Sequence, residues 1–254
     1  MTTVARISVA PVKNTRLSHP SSVELGTNGV LENRRFFLVG EDGRRLRSSL
    51  TAWPTVVRAR YDAAAETLSL RFPDGAEVEA DARPNGDELE CDAGSRRVRV
   101  RVVDGPWAEP LSRLAGHRVR LVRPEEPGAS LTEPVTLVSD GSLARLAHEA
   151  GRESVDGRRF RMLFELAGCD AHEEDGWEGR QLEVGDAMLE VGGPVDRCAV
   201  TTRDPDTGER DLDTLRLIKS YRGQRVSDGA ILFGVYARVT RPGVVRVGDP
   251  VRLA

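Results

Sequence analysis

Cys198 lies in the run Gly-Gly-Pro-Val-Asp-Arg-Cys-Ala-Val-Thr-Thr-Arg-Asp-Pro-Asp-Thr-Gly-Glu-Arg, from Gly192 to Arg210. A thiolate beside a cation is a soft metal ligand or a nucleophile, and Arg197 and Arg203 supply cations on either side. A cysteine packed among apolar groups is instead inert. Thr201 and Thr202 can hydrogen-bond to a ligand of a bound metal, or are plain strand residues. Asp204 to Gly208 reads Asp-Pro-Asp-Thr-Gly, a tight turn in which Asp and Thr bond local backbone and Pro205 fixes φ. Asp204 and Asp206 either orient a proton donor there or only shape the turn.

Other chemistry-bearing groups are cations at the ends of apolar runs. Lys13 closes the first strand-like segment, Arg34 and Arg35 precede a second, and Arg158, Arg159 and Arg161 surround Phe160. Arginine gives bidentate contacts and lysine a point charge, so such groups converging from separate strand ends make a phosphate site. Scattered, they are solvated surface charges. The four histidines, His19, His117, His148 and His172, lack a metal-ligand spacing. No Gly-x-Gly-x-x-Gly, phosphate-loop lysine or Gly-x-Ser-x-Gly motif occurs, which leaves dinucleotide, nucleoside triphosphate and serine-hydrolase readings without support.

The elements that must position these residues are short and mostly β. Val4–Val12, Thr67–Phe72 and Arg96–Val103 alternate, Arg35–Val39 is apolar, and Thr55–Tyr61 is rich in strand formers. Glu41-Asp42-Gly43 and Pro73-Asp74-Gly75 are turns. The stretch Arg123–Pro134, with its prolines and Gly128, marks a boundary. Beyond it, Ser139–Ala150 reads as a helix capped by Ser139 or Asp140, and Leu212–Tyr221 as a second with Asp211 near its start. Strands return at Gln181–Val184, Ala187–Val191, Ala230–Val239 and Val244–Leu253. The pattern predicts a mainly β protein with a few helices, in two modules, residues 1–122 and 123–254.

The 254 residues carry a net charge of −3, against the basic excess of a nucleic-acid binder. Three distant cysteines make a poor disulfide framework and point to a reducing compartment. No apolar run approaches the ~20 residues of a membrane span, and no apolar leader opens the sequence. The cytoplasm is the expected location.

Taken in order, these segments resemble the MOSC family, named for the C-terminal part of molybdenum-cofactor sulfurase. Ala10-Pro-Val-Lys13, Asn33-Arg-Arg-Phe-Phe-Leu-Val39 and Glu41-Asp-Gly43 are similar to its N-terminal β-barrel module. Leu137-Val-Ser-Asp-Gly-Ser-Leu143, Arg159-Phe-Arg161, Cys198 with Asp204-Pro-Asp-Thr-Gly208, Leu215–Arg222 and Phe233-Gly234 match the elements that follow. The resemblance implies a small N-terminal β-barrel module, a C-terminal MOSC-type β-barrel, and a molybdopterin-type molybdenum cofactor between them. It implies that Cys198 ligates molybdenum and that Lys13, Arg34 or Arg35, and Arg161 contact the pterin and its phosphate. Ser139 and Ser142 are expected to donate to the same anion. Two residues depart from the family pattern: Leu163 stands where it has asparagine, and Asn14 where it has serine.

The activity implied is reduction of N-hydroxylated small molecules. The chain closes at Ala254 without the ferredoxin-like domain of some bacterial relatives, so electrons are expected from a separate flavoprotein, ferredoxin or cytochrome b5 type of partner. Two other readings stay open at the level of sequence. One is a sulfur carrier or C–S-bond-processing protein using a Cys198 persulfide. The other is a non-catalytic module that binds molybdopterin or another small ligand.

Overall fold

The structure is a computed structural model that describes residues 1–46, 53–93, 96–128 and 132–254. Part of the expected boundary stretch, residues 129–131, lies outside them. Among the described residues the fold is mainly β, with three α-helices, as the short alternating segments predict.

The larger unit is a seven-stranded sheet. Its strand order is Thr3–Ile7, Phe164–Ala167, Val135–Ser139, Ile231–Arg241, Ala187–Arg197, Gln181–Val184 and Val251–Leu253. All neighbours are antiparallel except Val135–Ser139 and Phe164–Ala167. The two edges approach each other: Thr3 bridges Pro250, and the Val251 amide donates to the Thr2 carbonyl at 2.9 Å. The sheet thereby curls nearly shut, which removes exposed edges. Inward residues of every strand, among them Ile7, Leu137, Phe164, Leu189, Val235 and Val251, fill one core.

The second unit packs a four-stranded sheet, in the order Phe37–Gly40, Val119–Pro124, Arg96–Val102 and Glu88–Ala93, with a three-stranded meander of Arg58–Asp62, Thr67–Arg71 and Glu77–Asp81. In Arg96–Val102 the predicted alternation is realised: Val100 and Val102 are buried while Arg97, Arg99 and Arg101 are exposed. The helix Ala108–Ala115, which the sequence pattern did not single out, lays Leu111 on this core beside Trp107.

The first 25 residues stitch the two units together. Thr3–Ile7 and Ser22–Leu25 pair with Phe164–Ala167 and Gly243–Arg246. Between them Val12 bridges Phe36 and Arg16 bridges Arg58, both in the N-terminal unit.

Four boundaries differ from expectation. The first strand ends at Ile7, because the next amides change partner: Ser8 donates to the Leu163 carbonyl and Val9 to that of Ser18. Trp53–Val56 is a 3-10 turn, so that strand begins only at Arg58. The last helix begins at Thr214, capped by Asp213 through the Arg216 amide, since Asp211 instead takes the guanidinium of Arg159. Val244–Leu253 is two strands, broken by the turn in which Gly248 donates to the Val4 carbonyl.

Candidate functional site

The long strand Ala187–Arg197 delivers Cys198 to the start of a short 3-10 turn, Ala199–Thr202. The thiol-bearing residue is exposed, whereas Cys91 is buried and Cys169 half-buried. Burial pushes the Cys169 thiol up to about 11, which leaves that group protonated. Cys198 is therefore the cysteine open to a ligand.

Cations converge on it from four segments. Lys13 sits on a loop pinned to the next apolar run: its amide donates to the Phe36 carbonyl at 2.8 Å, and the Arg34 amide donates to that of Ala10 at 2.8 Å. Arg34 Nη2 reaches the Arg161 carbonyl at 2.9 Å, and Arg161 Nη2 reaches the Thr15 carbonyl at 2.6 Å. Arg197, beside the thiol, gives Nε to the Phe233 carbonyl at 2.7 Å, Nη1 to that of Phe160 at 3.1 Å and Nη2 to the Met162 sulfur at 2.8 Å. Its guanidinium lies 5.3 Å over the Phe160 ring. Gly234 makes room for this arrangement: at φ +70 its added Cβ would meet the Leu137 carbonyl at 2.5 Å and Arg197 Nη2 at 3.3 Å.

The electrostatics show these groups close enough to act on one another. Lys13 is held well below the usual lysine range, by burial first and then by the like charges of Arg34 and Arg45, opposed by the Cys198 sulfur, with Arg161 repelling as well. Arg34 is lowered by burial and by Arg45, and raised by Tyr236 and Cys198. Burial pushes Arg161 down to about 9, with Arg34 adding repulsion. Arg197 falls to about 10, again by burial first, partly offset by Tyr236 and Cys198. Each depression measures how costly it is to hold positive charge there, a deficit that a bound anion repairs. Three residues of these loops also sit at left-handed φ without being glycine: Asn14 at 74°, Arg34 at 54° and Arg161 at 53°. Such conformations are unfavourable and concentrate at binding sites.

Several of the other expected residues do other work. Arg35 is buried on the opposite side of its loop, where it donates to the Pro124 carbonyl at 2.9 Å beside Tyr61, Glu66 and Arg123. The left-handed turn at Arg34 sends the two adjacent arginines to different places: Arg34 into the cleft, Arg35 into the N-terminal unit. Ser139 and Ser142 are fully buried and give their hydroxyls to the Glu174 carboxylate at 2.6 and 2.7 Å. Ser139 also caps the helix Asp140–Glu149, accepting from the Ser142 amide at 3.1 Å.

Thr201 bonds the Cys198 carbonyl at 3.2 Å and the Thr214 hydroxyl at 2.7 Å, and Thr202 bonds the Ala199 carbonyl at 2.7 Å. Both shape the backbone that presents the thiol. Asp204 accepts the amides of Asp206 and Thr207 at 2.9 and 2.8 Å, a turn role, and Arg203 donates to the Gly208 carbonyl at 2.9 Å to close the same turn. Arg158 and Arg159 are ion-paired with Asp156 and Asp206, and with Asp211. Leu163 is 2% exposed within the barrel core. Its amide, rather than a side-chain amide, makes the local polar contact, donating to the Thr136 hydroxyl at 2.9 Å.

Arg45 and Tyr236 belong to the cleft but were not singled out from the sequence. Arg45 follows the Glu41-Asp42-Gly43 turn and bridges Val39. Tyr236 stands opposite Thr136 on a strand whose Phe233, Val235 and Ala237 are buried. Only its break in that apolar run hints at a different surrounding.

The described residues form a mainly β protein with an exposed thiol near half-buried cations. Residues 111–252 match the MOSC domain, more than half of the sequence, and the chain belongs to that family. It is 37% identical over 140 residues to human mitochondrial amidoxime-reducing component 1, covering 52% of this chain and 41% of that protein. The matched stretch thus spans about two-fifths of that relative's length. A Xenopus laevis mitochondrial amidoxime-reducing component 1 aligns at 26% identity over 98% of this chain and 81% of its own length. The molybdenum cofactor sulfurase of Bos taurus is 29% identical over 93 residues, 37% of this chain and 10% of that protein. Among solved structures, the YuaD protein of Bacillus subtilis superposes over 99% of this chain and 94% of its own, with a TM-score of 0.43 and 13% identity. Among the described residues, no helix is long and apolar enough to cross a membrane.

Proposed function

We propose that the Cys198 cleft holds a molybdopterin-type molybdenum cofactor and that the protein reduces N-hydroxylated small molecules with electrons from a separate redox partner. The observation that carries this reading is the pairing of an exposed thiol with two half-buried arginines, Arg161 and Arg197, whose described hydrogen-bond partners are neutral. Among the described residues Arg161 and Arg197 bond only carbonyl oxygens and a thioether, and neither forms an ion pair. A soft sulfur donor suits molybdenum, and the surrounding positive field suits a phosphate-bearing, dithiolene-type ligand. The relatives named for amidoxime reduction support the choice of reaction. When bound, such a cofactor supplies two-electron redox chemistry.

The residues of the chain supply the rest. Cys198 is the protein ligand to the metal, presented by the Thr201 and Thr202 backbone bonds. Lys13, Arg34, Arg45 and Arg161 hold the anionic end, with the guanidinium planes of Arg34 and Arg161 set by carbonyl contacts before the ligand arrives. Arg197 bridges this rim to the apolar wall of Phe160 and Phe233, which limits water behind the thiol. The overall change converts N–OH with two electrons and two protons into N–H and water. Tyr236, whose charge bears on Arg34 and Arg197, is assigned as a proton donor.

The test uses protein from a cofactor-producing host, assayed with a reduced dye and an aromatic N-hydroxyamidine. Wild type is expected to reduce it, and Cys198→Ser to lose the activity while melting at the same temperature. Undiminished turnover by Cys198→Ser would refute the assignment of the thiol.

A further inference from the structure

The Asp-Pro-Asp-Thr-Gly turn holds a second carboxylate that the proposed chemistry does not use. Asp206 Oδ1 accepts from Arg16 Nη2 and, at 3.1 Å, from Arg158 Nη1, while Oδ2 accepts from Arg158 Nη2 at 2.7 Å. Its own amide is fixed by Asp204 at 2.9 Å, in the turn that follows Cys198. Each arginine arm leads back to the cleft. Arg16 lies just past Lys13; the residue between Asn14 and Arg16, Thr15, is fully buried and its carbonyl anchors Arg161 Nη2 at 2.6 Å. Arg158 opens the 3-10 turn whose last amide bond, Arg161 to the Arg158 carbonyl at 3.1 Å, sets Arg161 in its left-handed conformation.

We propose that Asp206 is a positioning residue: one carboxylate clasps the three segments that carry Lys13, Arg161 and Cys198, and so sets the spacing of the cations around the thiol. This rests on the reading of the cleft as a seat for an anion. The physical need is plain. Lys13, Arg34 and Arg161 repel one another in a partly dehydrated space, and the carbonyl bonds that join their loops bring no opposite charge, which Asp206 supplies. A turn residue with no such role would bond only its own backbone, as Asp204 does. The carboxyl of Asp206 remains ionised in this clasp. The Arg158 bond, and then that of Arg16, hold it below the usual range against the opposing effect of burial.

The experiment reads the local field at Cys198 without the cofactor. The whole chain, made in a host that lacks the cofactor, is labelled with a dianionic aromatic disulfide and with neutral iodoacetamide, and modification of the Cys198 peptide is timed by mass spectrometry. Each rate is referred to that of a small free thiol, and the two normalised rates are divided, which cancels thiolate content. In wild type the anionic reagent is expected to be favoured ~10-fold, the low end of electrostatic focusing. Asp206→Asn is expected to cut that preference ~3-fold or more in a protein that still unfolds cooperatively, with its melting temperature lowered by only about 2–4 °C, because the cations lose their spacing.

The sign is diagnostic. Asp206 acting only as a nearby negative charge would repel the anionic reagent, and its removal would raise the preference. An increase or no change in Asp206→Asn, with wild type favouring the anion, therefore overturns the clasp and leaves the anion seat standing. No preference in wild type overturns the anion seat and the clasp with it. Asp206→Glu keeps the charge but alters the reach, and is expected to lower the preference as well. It decides the matter should Asp206→Asn fail to fold, an unchanged ratio counting against the clasp. Asp81→Asn, which breaks an exposed pair with Arg83 in the three-stranded meander, is the control expected to change nothing.

Discussion

Two groups of arginines lie side by side in this protein and are treated in opposite ways. Arg6, Arg158 and Arg159 face Glu165, Asp156, Asp206 and Asp211 in partly buried ion pairs. Arg161 and Arg197, from the same stretch of structure, face carbonyl oxygens and a thioether. The chain is acidic overall, so carboxylates are not scarce. Among the described residues none forms an ion pair with Arg161 or Arg197, and Asp196 bears on Arg197 only as the weakest of its charged neighbours. The first group holds loops together; the second keeps positive charge under strain beside an exposed sulfur. Neighbouring residues of one Arg-Arg-Phe-Arg run fall on both sides of this division.

Substitutions sharpen or break the contrast. The largest effect is expected at the sulfur: Cys198→Ser lowers turnover at least ~100-fold, more than loss of an outer-shell contact would, measured with the dye-linked assay. The two arginine groups then predict opposite signs. Arg159→Met breaks a buried pair with Asp211 and costs about 3 kcal/mol by urea unfolding, with unchanged molybdenum content. Arg161→Met removes a half-buried charge with no ion-pair partner among the described residues, so it raises stability by up to about 1 kcal/mol while lowering the molybdenum retained after gel filtration. Both variants losing stability equally would erase the distinction.

Smaller effects lie outside the cleft. Ser139→Ala removes a helix cap and a Glu174 partner, for about 1 kcal/mol, and leaves metal content as it was. A parallel loss of metal would return Ser139 to the binding site. The Asp206 ion pairs are partly exposed, and after solvent screening their worth is about 1 kcal/mol at neutral pH. The folded carboxyl titrates below its unfolded value. Its contribution is therefore complete above the unfolded carboxylate range near ~4 and disappears as pH falls through the lower folded value. The stability gap between wild type and Asp206→Asn should close on acidification, followed by urea midpoints across that range.

Much of this was legible in the sequence because it is local. Alternation wrote the strand Arg96–Val102, and Ser139 at the head of an apolar stripe wrote its helix. Cys198 was legible because a polar turn surrounds it. What sequence spacing does not carry is the direction of a side chain beyond a left-handed residue, which is why Arg34 and Arg35 looked equivalent and are not. Arg45 looked like any arginine of a basic run, and its place in the cleft depends on a sheet bridge to Val39. Ser139 and Ser142 looked available because Glu174, their acceptor, comes from a distant segment. Asp206 looked like turn chemistry until Arg16, far away in the chain, closed on it.

The most direct measurement is molybdenum per chain by elemental analysis, on protein purified gently from a cofactor-producing host, beside Cys198→Ser from the same host. About one metal per wild-type chain is expected, carried by the thiolate donor, and almost none in the variant. Wild-type protein that carries no molybdenum from such a host, or a variant that retains it in full, would contradict the assignment of the cleft.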